Sequence, residues 1–294
     1  MNILISTCFQ GLIYSILALG VFITFRILNF ADMTAESSLT LGGSVCALLI
    51  TKGCNPIFAV FLAGISGSLA GLITGLIHTK LKIPAVLSGI LTMIALYSIN
   101  IRIMGKSNLS LLGKETIFKL FKNTQFSSFI MMTTVCAVLI LITDLFFKTR
   151  LGLVIRATGD NEQMVRIQGS NSDFNKIVAL MISNMMCAIA GGLIAQSNGY
   201  SDVNLGTGSI VIALSSIMIG ESIIKKSLFS WRLIGVVLGS ICYRFIVFLV
   251  LNLGMNPIDL KLFTAVIATT LLCFPNIEKT INRSVLNVKN RKSK

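Results

Sequence analysis

Apolar runs of membrane length follow one another along almost the whole chain. A helix needs about 20 apolar residues to cross a bilayer, and on that length we predict about nine spans, within a range of about 8 to 10. The second, seventh and ninth runs are short, and we expect some of these to be tilted, partly re-entrant or broken. The predicted spans are residues 5–27, 36–51, 57–77, 83–104, 126–147, 177–196, 208–224, 233–252 and 261–275.

Composition excludes a soluble protein. With 54% hydrophobic and 12% charged residues, a soluble fold would expose more apolar surface than solubility allows. We therefore predict an all-α polytopic membrane protein, with a transmembrane domain at 1–275 and a basic tail at 276–294. Residues 1–25 lack the charged start and cleavage site of a secretory signal, so we expect the first run to remain as a helix.

The basic residues indicate an orientation. If the N-terminus is outside, inner segments hold seventeen Lys and Arg and outer segments seven, with Arg244 left inside a span. The excess favours an outer N-terminus and an inner C-terminus, although the loop at 105–125 is more basic than an outer loop should be. The net charge of +14 is spread between spans rather than over one face, so we expect no nucleic-acid binding.

The chain shows no pattern typical of an enzyme or a metal site. It has no G-x-x-x-x-G-K-[ST] loop, no H-E-x-x-H and no G-x-S-x-G motif. We read the seven scattered cysteines as small buried hydrophobes and the lone His78 as a loop residue at the membrane surface. We accordingly predict no catalytic residue, no metal and no cofactor.

The longest strongly polar internal stretch, residues 148–176, predicts a short cytoplasmic helix between Gly159 and Gly169. Asp160 can act as its N-cap, with Gln163 three residues later completing a capping box. Gly169 tolerates the left-handed conformation that ends helices. Five basic side chains place the stretch on the inner side: Lys148, Arg150, Arg156, Arg166 and Lys176.

This helix is too short to be stable alone in water. Asp160 and Glu162 place negative charge at the positive end of its dipole. Met164 and Ile167 form an i, i+3 apolar pair that could enter a groove on another protein. The alternative is a surface connector that lies on the protein's own spans.

Two features inside or beside the spans have both a functional and a structural interpretation. Arg244 lies near the middle of the 233–252 span, where a cation must face the protein interior or a wet cavity. It either attracts a solute carboxylate or fixes helix packing through a buried partner. The glycine-rich segment 198–209, with Tyr200 and Asp202, is either a gate or docking surface, or a turn between helices.

A set of glycines recurs in the third span, and a loose repeat relates the two halves of the chain. The glycines predict close helix packing, more within the subunit than at a dimer contact. Segments 36–147 and 177–275 share a plan of short and long spans, as inverted repeats would. The glycines are Gly64, Gly67, Gly71 and Gly75.

The string TRLGLVIRATGDNEQMVRIQG, residues 149–169, resembles the cytoplasmic coupling loop of ABC-transporter permeases. The branch is the one that handles branched-chain amino acids, ribose-like sugars and related solutes. RILNFADMT at 26–34 resembles the N-F-A element that this branch carries after its first span.

Two further stretches, 88–112 and 191–221, look like the subgroup described as tryptophan/tyrosine transport permeases. The likeness covers about 11–275. ADMTAESSLTLG at 31–42 departs from the subgroup's Pro-Asp-Leu-Thr-Val-Asp-Gly-Ser, so a glycine that would let backbone approach the solute is missing.

The resemblance implies a permease subunit in the bacterial cytoplasmic membrane that moves an amino acid or similar solute. Its partners would be a second permease subunit, cytoplasmic ATPase subunits, an extracytoplasmic solute-binding protein and membrane lipid. ATPase coupling would fall on Gly159, Asp160, Glu162, Met164, Ile167 and Gly169. Our candidates for the translocation path or gate are Asn29, Phe30, Tyr97, Tyr200, Asp202 and Arg244.

A secondary transporter or channel that works without an ATPase is the alternative function. It would be expected to carry several paired ionisable residues within its spans, whereas we identified Arg244 nearly alone there. A membrane-embedded enzyme would need clustered catalytic groups.

Overall fold

The structure is a computed structural model, and it describes residues 2–120, 125–224, 228–253, 259 and 262–270. The predicted basic tail at 276–294 lies outside these residues. The described chain is almost entirely helical, with one small sheet. In order, the elements are α1 (Asn2–Phe22), a π-helical turn (Ile23–Ile27), α2 (Thr34–Thr51), α3 (Pro56–Leu81), α4 (Ala85–Met104), β1 (Asn108–Ser110), α5 (Ile117–Leu120), α6 (Gln125–Lys148), α7 (Arg150–Asp160), α8 (Glu162–Ile167), α9 (Ser172–Asn198), β2 (Tyr200–Asp202), α10 (Ser209–Ile223) and α11 (Phe229–Asn252), and residues 262–270 are also helical.

Six helices in the described part of the chain are long and apolar enough to cross a membrane, which confirms a polytopic helical membrane protein. The other predicted spans are the three short ones. They correspond to α2, whose first half is rich in hydroxyls, to the 15-residue α10, and to the helical residues 262–270. The six long helices cover Leu4–Ile27, Pro56–Leu81, Ala85–Met104, Phe126–Lys148, Ser172–Asn198 and Phe229–Asn252.

The elements define two opposite ends of the bundle. At one, here the sheet end, β1 and β2 pair antiparallel, with Leu109 opposite Ser201. At the other, here the α8 end, the π-helical turn, the last turn of α6, α7, α8 and the start of α11 lie together. Arg26 pairs there with Glu221, and Ser230 Oγ donates to Asp144 Oδ1 at 2.6 Å.

Helices α2, α3 and α9 are joined by close backbone contact. A Cβ atom added at Gly71 of α3 would lie 2.3 Å from the Leu180 carbonyl oxygen of α9, and one at Gly191 of α9 would lie 1.8 Å from the Leu39 oxygen of α2. Glycine is therefore required for the helices to approach this closely. The predicted glycine face of α3 packs inside the subunit, as expected from the sequence.

A buried polar network fixes the start of α2 against α9. Asp32 is fully buried, and Asn184 Nδ2 donates to its Oδ2 at 2.7 Å. The Thr34 amide donates to Asp32 Oδ1 at 2.9 Å, and Ser38 Oγ donates to Asn184 Oδ1 at 2.6 Å. Because buried polar groups are costly unless they are paired, this network strongly specifies how α2 enters the bundle.

Candidate functional site

α8 is the short helix predicted in the polar stretch, but its cap differs from the prediction. α7 continues to Asp160, so Asn161 is the N-cap, and its Oδ1 accepts from the Met164 amide at 3.0 Å. The prediction of Asp160 as N-cap is wrong because Asp160 is the last residue of α7, a helix that we did not predict. Gly169 adopts the predicted left-handed conformation, with φ of +81°.

The apolar pair on α8 points away from the protein's own helices. Met164 is 56% exposed and Ile167 is 86% exposed, while Val165 between them is buried. Val165 thus packs α8 onto the bundle, and the Met164–Ile167 pair does not. This arrangement favours the partner-docking interpretation over a connector that lies on its own spans.

An ionic network holds α8 on the first turns of α9. Glu162 Oε1 accepts from Arg166 at 2.7 Å and from Ser172 at 3.1 Å, and its Oε2 accepts from Lys176 at 2.7 Å. Arg166 also contacts Asp173 at 3.2 Å. Partial burial raises the pKa of Glu162, but the hydrogen bonds and the charges of Lys176 and Arg166 outweigh it, so the pKa lies below its ordinary value.

The α8 region touches the connection between α1 and α2. Asn29, with a left-handed φ of +53°, donates its Nδ2 to the Gly159 oxygen at 2.9 Å. A Cβ atom at Gly159 would lie 1.9 Å from the Ile27 oxygen, so this contact needs glycine. Asn29, chosen from the sequence as a path residue, therefore contacts α7, and it is not among the residues that line the three cavities described below.

The next residue, Phe30, is buried and packs edge-on against the His78 ring at 5.0 Å between centroids. His78 lies in the last turn of α3, and its Nδ1 is 2.8 Å from the Ile83 oxygen. The expectation of a loop histidine is wrong because α3 runs four residues beyond the predicted span, through Leu81.

A second site is formed where α10 begins. The Gly208 amide donates to Glu36 Oε1 at 3.0 Å, and the Gly206 amide donates to Thr40 Oγ1 at 3.0 Å. A Cβ atom at Gly206 would lie 1.9 Å from the Glu36 carbonyl oxygen. Glu36 is in the first turn of α2, whereas Ile50 near the other end of α2 packs with Leu111 beside the sheet. α10 therefore starts well inside the bundle, which explains its shortness.

A cavity of about 370 Å³ opens beside this helix start and is here termed the α10 cavity. Two of its lining residues are Tyr97 of α4, a predicted path residue, and Asn204 of the glycine-rich segment. A carboxylate, several hydroxyls, an amide and an aromatic ring converge there, as is typical of small-molecule sites. The polar lining consists of Glu36, Ser37, Thr40, Tyr97, Ser98, Asn204 and Thr207.

A larger cavity of about 460 Å³ lies at the sheet end, lined in part by Phe9, Gln10 and Gln196. Among the described residues that line it, Lys119 is the single charged side chain and none is a carboxylate. The α10 cavity combines more varied polar chemistry with a deeper position, so it is the better candidate site.

Tyr200 and Asp202 are placed in the sheet. Tyr200 pairs with Ser110 and Asp202 with Asn108, and Asp202 Oδ1 accepts from the Asn204 amide at 2.7 Å. Their observed contacts are those of a turn that redirects the chain inward from α9, and the lining of the α10 cavity begins at the next residue, Val203.

Arg244 lies on α11 and faces α1. Its guanidinium carbon is 3.6 Å from the centroid of the Tyr14 ring, a cation–π contact. In the part of the chain that the structure describes, no carboxylate forms a salt bridge with it, and its Nε has no hydrogen-bond partner.

Sequence reasoning missed Glu36 and Asp32, and it used Arg156 only to place the polar stretch on the inner side. Glu36 and Asp32 are charged residues in or beside an apolar run, which is the signal that singled out Arg244. In the described ranges no group of three or more His, Cys, Asp or Glu side chains is arranged to hold a metal ion.

Comparison with known proteins identifies the family. Residues 3–274 match the family described as "Branched-chain amino acid transport system / permease component". The tyrosine transport system permease protein of Clostridioides difficile is 42% identical over 284 residues, covering 97% of this chain and 95% of that protein. The ribose import permease protein RbsC of Escherichia coli is 24% identical over 228 residues, covering 76% and 69%. The protein named "Probable branched-chain amino acid transport permease protein LivH" of Methanocaldococcus jannaschii is 27% identical over 248 residues, covering 77% of each chain.

Permeases of this family are transport subunits of ABC importers in the inner membrane, and they work with separate ATPase and solute-binding partners. ATP hydrolysis resides in the ATPase partner, so the permease itself is not an enzyme. The six apolar helices agree with this role. The chain belongs to the branched-chain amino acid transport permease family of ABC importers.

Proposed function

We propose that two copies of this permease form the pathway of an amino-acid importer, with α8 as the element that docks on the ATPase. Each copy would cross the membrane nine times, with its N-terminus outside and the α8 end in the cytoplasm. The alternation of the helices between the two ends and the excess of Lys and Arg at the α8 end support this orientation.

The exposed apolar pair on α8 carries the docking proposal. Exposed apolar residues on a helix that is fixed by caps and an ionic network are a prepared surface for a groove on another protein. The ionic network between α8 and α9 keeps α8 rigid relative to the spans, so a force on α8 is transmitted to α9.

The contacts define a continuous route from α8 to the α10 cavity. α7 and α8 join at Asn161, and Gly159 contacts Asn29 in the α1–α2 connection. Three residues later Asp32 anchors the start of α2, and Glu36 follows one turn along. ATP-driven movement of α8 would therefore shift the element that bears Glu36, which is a two-state change of the kind that alternates access.

The chemistry of the α10 cavity supports a zwitterionic solute. The Glu36 carboxylate can accept from a solute ammonium group, and the Tyr97 ring offers an apolar face. The relative at 42% identity is named as a tyrosine permease, which supports an aromatic amino acid as the solute. Tyr97 is 51% exposed, so a second subunit would close the open side of the cavity.

The docking role is tested by a charge placed on the exposed pair. Ile167→Asp should abolish co-purification of the ATPase, because burying an unpaired carboxylate in an apolar groove is strongly unfavourable. Leu112→Asp is a matched control, since Leu112 is also 86% exposed but lies at the opposite end of the bundle. Normal ATPase recovery with Ile167→Asp, in a variant that reaches the membrane at the parent level, would show that α8 is not the docking element.

A further inference from the structure

A small basic cavity lies at the α8 end, apart from the α10 cavity and from the exposed face of α8. Its volume is about 160 Å³, and its walls come from the π-helical turn, α7 and α11. Among the described lining residues, three arginines outnumber one carboxylate. The lining residues are Arg26, Ile27, Arg156, Asp160, Phe229 and Arg232.

Arg156 is the unexplained group in this cavity. Its Nε and one terminal nitrogen are shielded from solvent and have no hydrogen-bond partner among the described residues. The guanidinium stacks on Phe229 at 3.5 Å from the ring centroid, with Phe147 at 5.4 Å. Burial lowers the pKa of Arg156, and the charge of Arg232 adds to this, while Asp144 opposes it. Shielded guanidinium nitrogens without an acceptor are costly unless a ligand supplies one.

Two acids near the cavity, neither of them among its lining residues, are already engaged. Asp144 accepts from Lys148 at 2.5 Å and from Ser230 at 2.6 Å. Glu221 pairs with Arg26. Asp160, the carboxylate in the cavity lining, forms no salt bridge with Arg156 in the part of the chain that the structure describes. The described lining therefore carries more positive than negative charge, and two nitrogens of Arg156 have no acceptor there.

The cavity also lies at the edge of the apolar bundle. It sits where α1 ends and α11 begins, two helices that are long enough to span a membrane. Leu228 and Trp231 flank it and are both exposed, and tryptophan is typical of the level of lipid headgroups. Basic pockets between helices at this level suit anionic headgroups, and guanidinium matches phosphate geometry with paired hydrogen bonds.

We propose that this cavity binds a phosphate group, with Arg156 and Arg232 as the principal donors. The phosphate can belong to an anionic phospholipid of the adjoining leaflet or to a free phosphate ion. This site goes beyond the transport function and does not depend on which solute is carried.

The test compares four versions of the full-length permease in phosphatidylcholine nanodiscs: the parent, Arg156→Gln, Arg232→Gln and Arg150→Gln. Arg150→Gln is the matched control, because it removes the same charge from an exposed position on α7. The midpoint of thermal unfolding is measured while phosphatidylglycerol is added to the discs, and separately while inorganic phosphate is titrated.

Stabilisation of the parent and Arg150→Gln by phosphatidylglycerol, but not by phosphate, would support the site and identify the lipid as its source. Stabilisation by phosphate alone would support the site with a free ion. In either case Arg156→Gln should weaken the apparent affinity about tenfold, as the loss of a charge-assisted hydrogen bond implies. If Arg156→Gln does not fold, the same weakening is expected of Arg232→Gln, and that variant then provides the test. The proposal is overturned if neither addition stabilises the parent, or if all four proteins respond equally.

Discussion

Replacing Asn184 by alanine tests the polar network that anchors α2. Asn184 donates to the buried carboxylate of Asp32 at 2.7 Å and accepts from Ser38 at 2.6 Å. Loss of a hydrogen bond costs about 1 kcal/mol, and each of the two buried partners left without one, Asp32 and Ser38, costs about 1–3 kcal/mol. Asn184→Ala should therefore lower the free energy of unfolding by about 3 kcal/mol or more.

Asn175→Ala provides the matched control for this prediction. Asn175 is also a buried asparagine on α9, but its amide donates to the neutral hydroxyl of Thr158 at 3.2 Å. Loss of a neutral hydrogen bond costs about 1 kcal/mol. Equilibrium unfolding of both variants in mixed detergent measures the difference. Equal destabilisation of the two variants would refute the idea that the Asp32 network is the special anchor of α2.

Three further outcomes are expected. Glu36→Gln should reduce uptake of an aromatic amino acid into reconstituted vesicles while α10 keeps its start, because the glutamine oxygen can still accept from Gly208; unchanged uptake would exclude Glu36 from solute recognition. Arg244→Met removes the cation–π contact with Tyr14, which is worth about 0.5–2 kcal/mol, so thermal stability should fall slightly; a large loss of uptake at parent stability would instead indicate a solute contact. The pKa of Glu162 is lower in the folded protein than in the unfolded chain, so its contacts with Arg166 and Lys176 stabilise the fold at pH values above the ordinary glutamate pKa. This stabilisation is lost as the pH falls through the pKa of Glu162 in the folded protein. The stability difference between parent and Glu162→Gln should accordingly vanish in acid, and a difference that persists there would contradict the role of this charge.

The short second and seventh predicted spans illustrate what the sequence predicts and what only the structure explains. Their lengths marked them as unusual, because the number of apolar residues limits how far a helix can cross hydrocarbon. The reason for each lies in tertiary contacts. α10 is short because the preceding segment turns inward and caps its start on Glu36, and α2 starts within the bundle because Asp32 is paired with Asn184.

The α8 region was predictable in its chemistry but not in its exact boundaries. Gly169 and the apolar pair follow from local rules of helix ends and faces. The choice between Asp160 and Asn161 as N-cap depended on whether α7 formed, and α7 is stabilised by packing on the π-helical turn and α9 that no local pattern contains. The same holds for Asn29, whose partner Gly159 is 130 residues away.

The sequence by itself determined that this is a polytopic helical membrane permease, because apolar run length and family motifs are encoded in consecutive residues. Tertiary structure alone decided which polar residues meet: Glu36 with the start of α10, Tyr97 with Asn204, and Arg156 with Phe229. The physical reason is that hydropathy is a local sum along the chain. The partner of a buried charge, by contrast, is set by how distant helices pack, and close packing here depends on glycines placed far apart in the sequence.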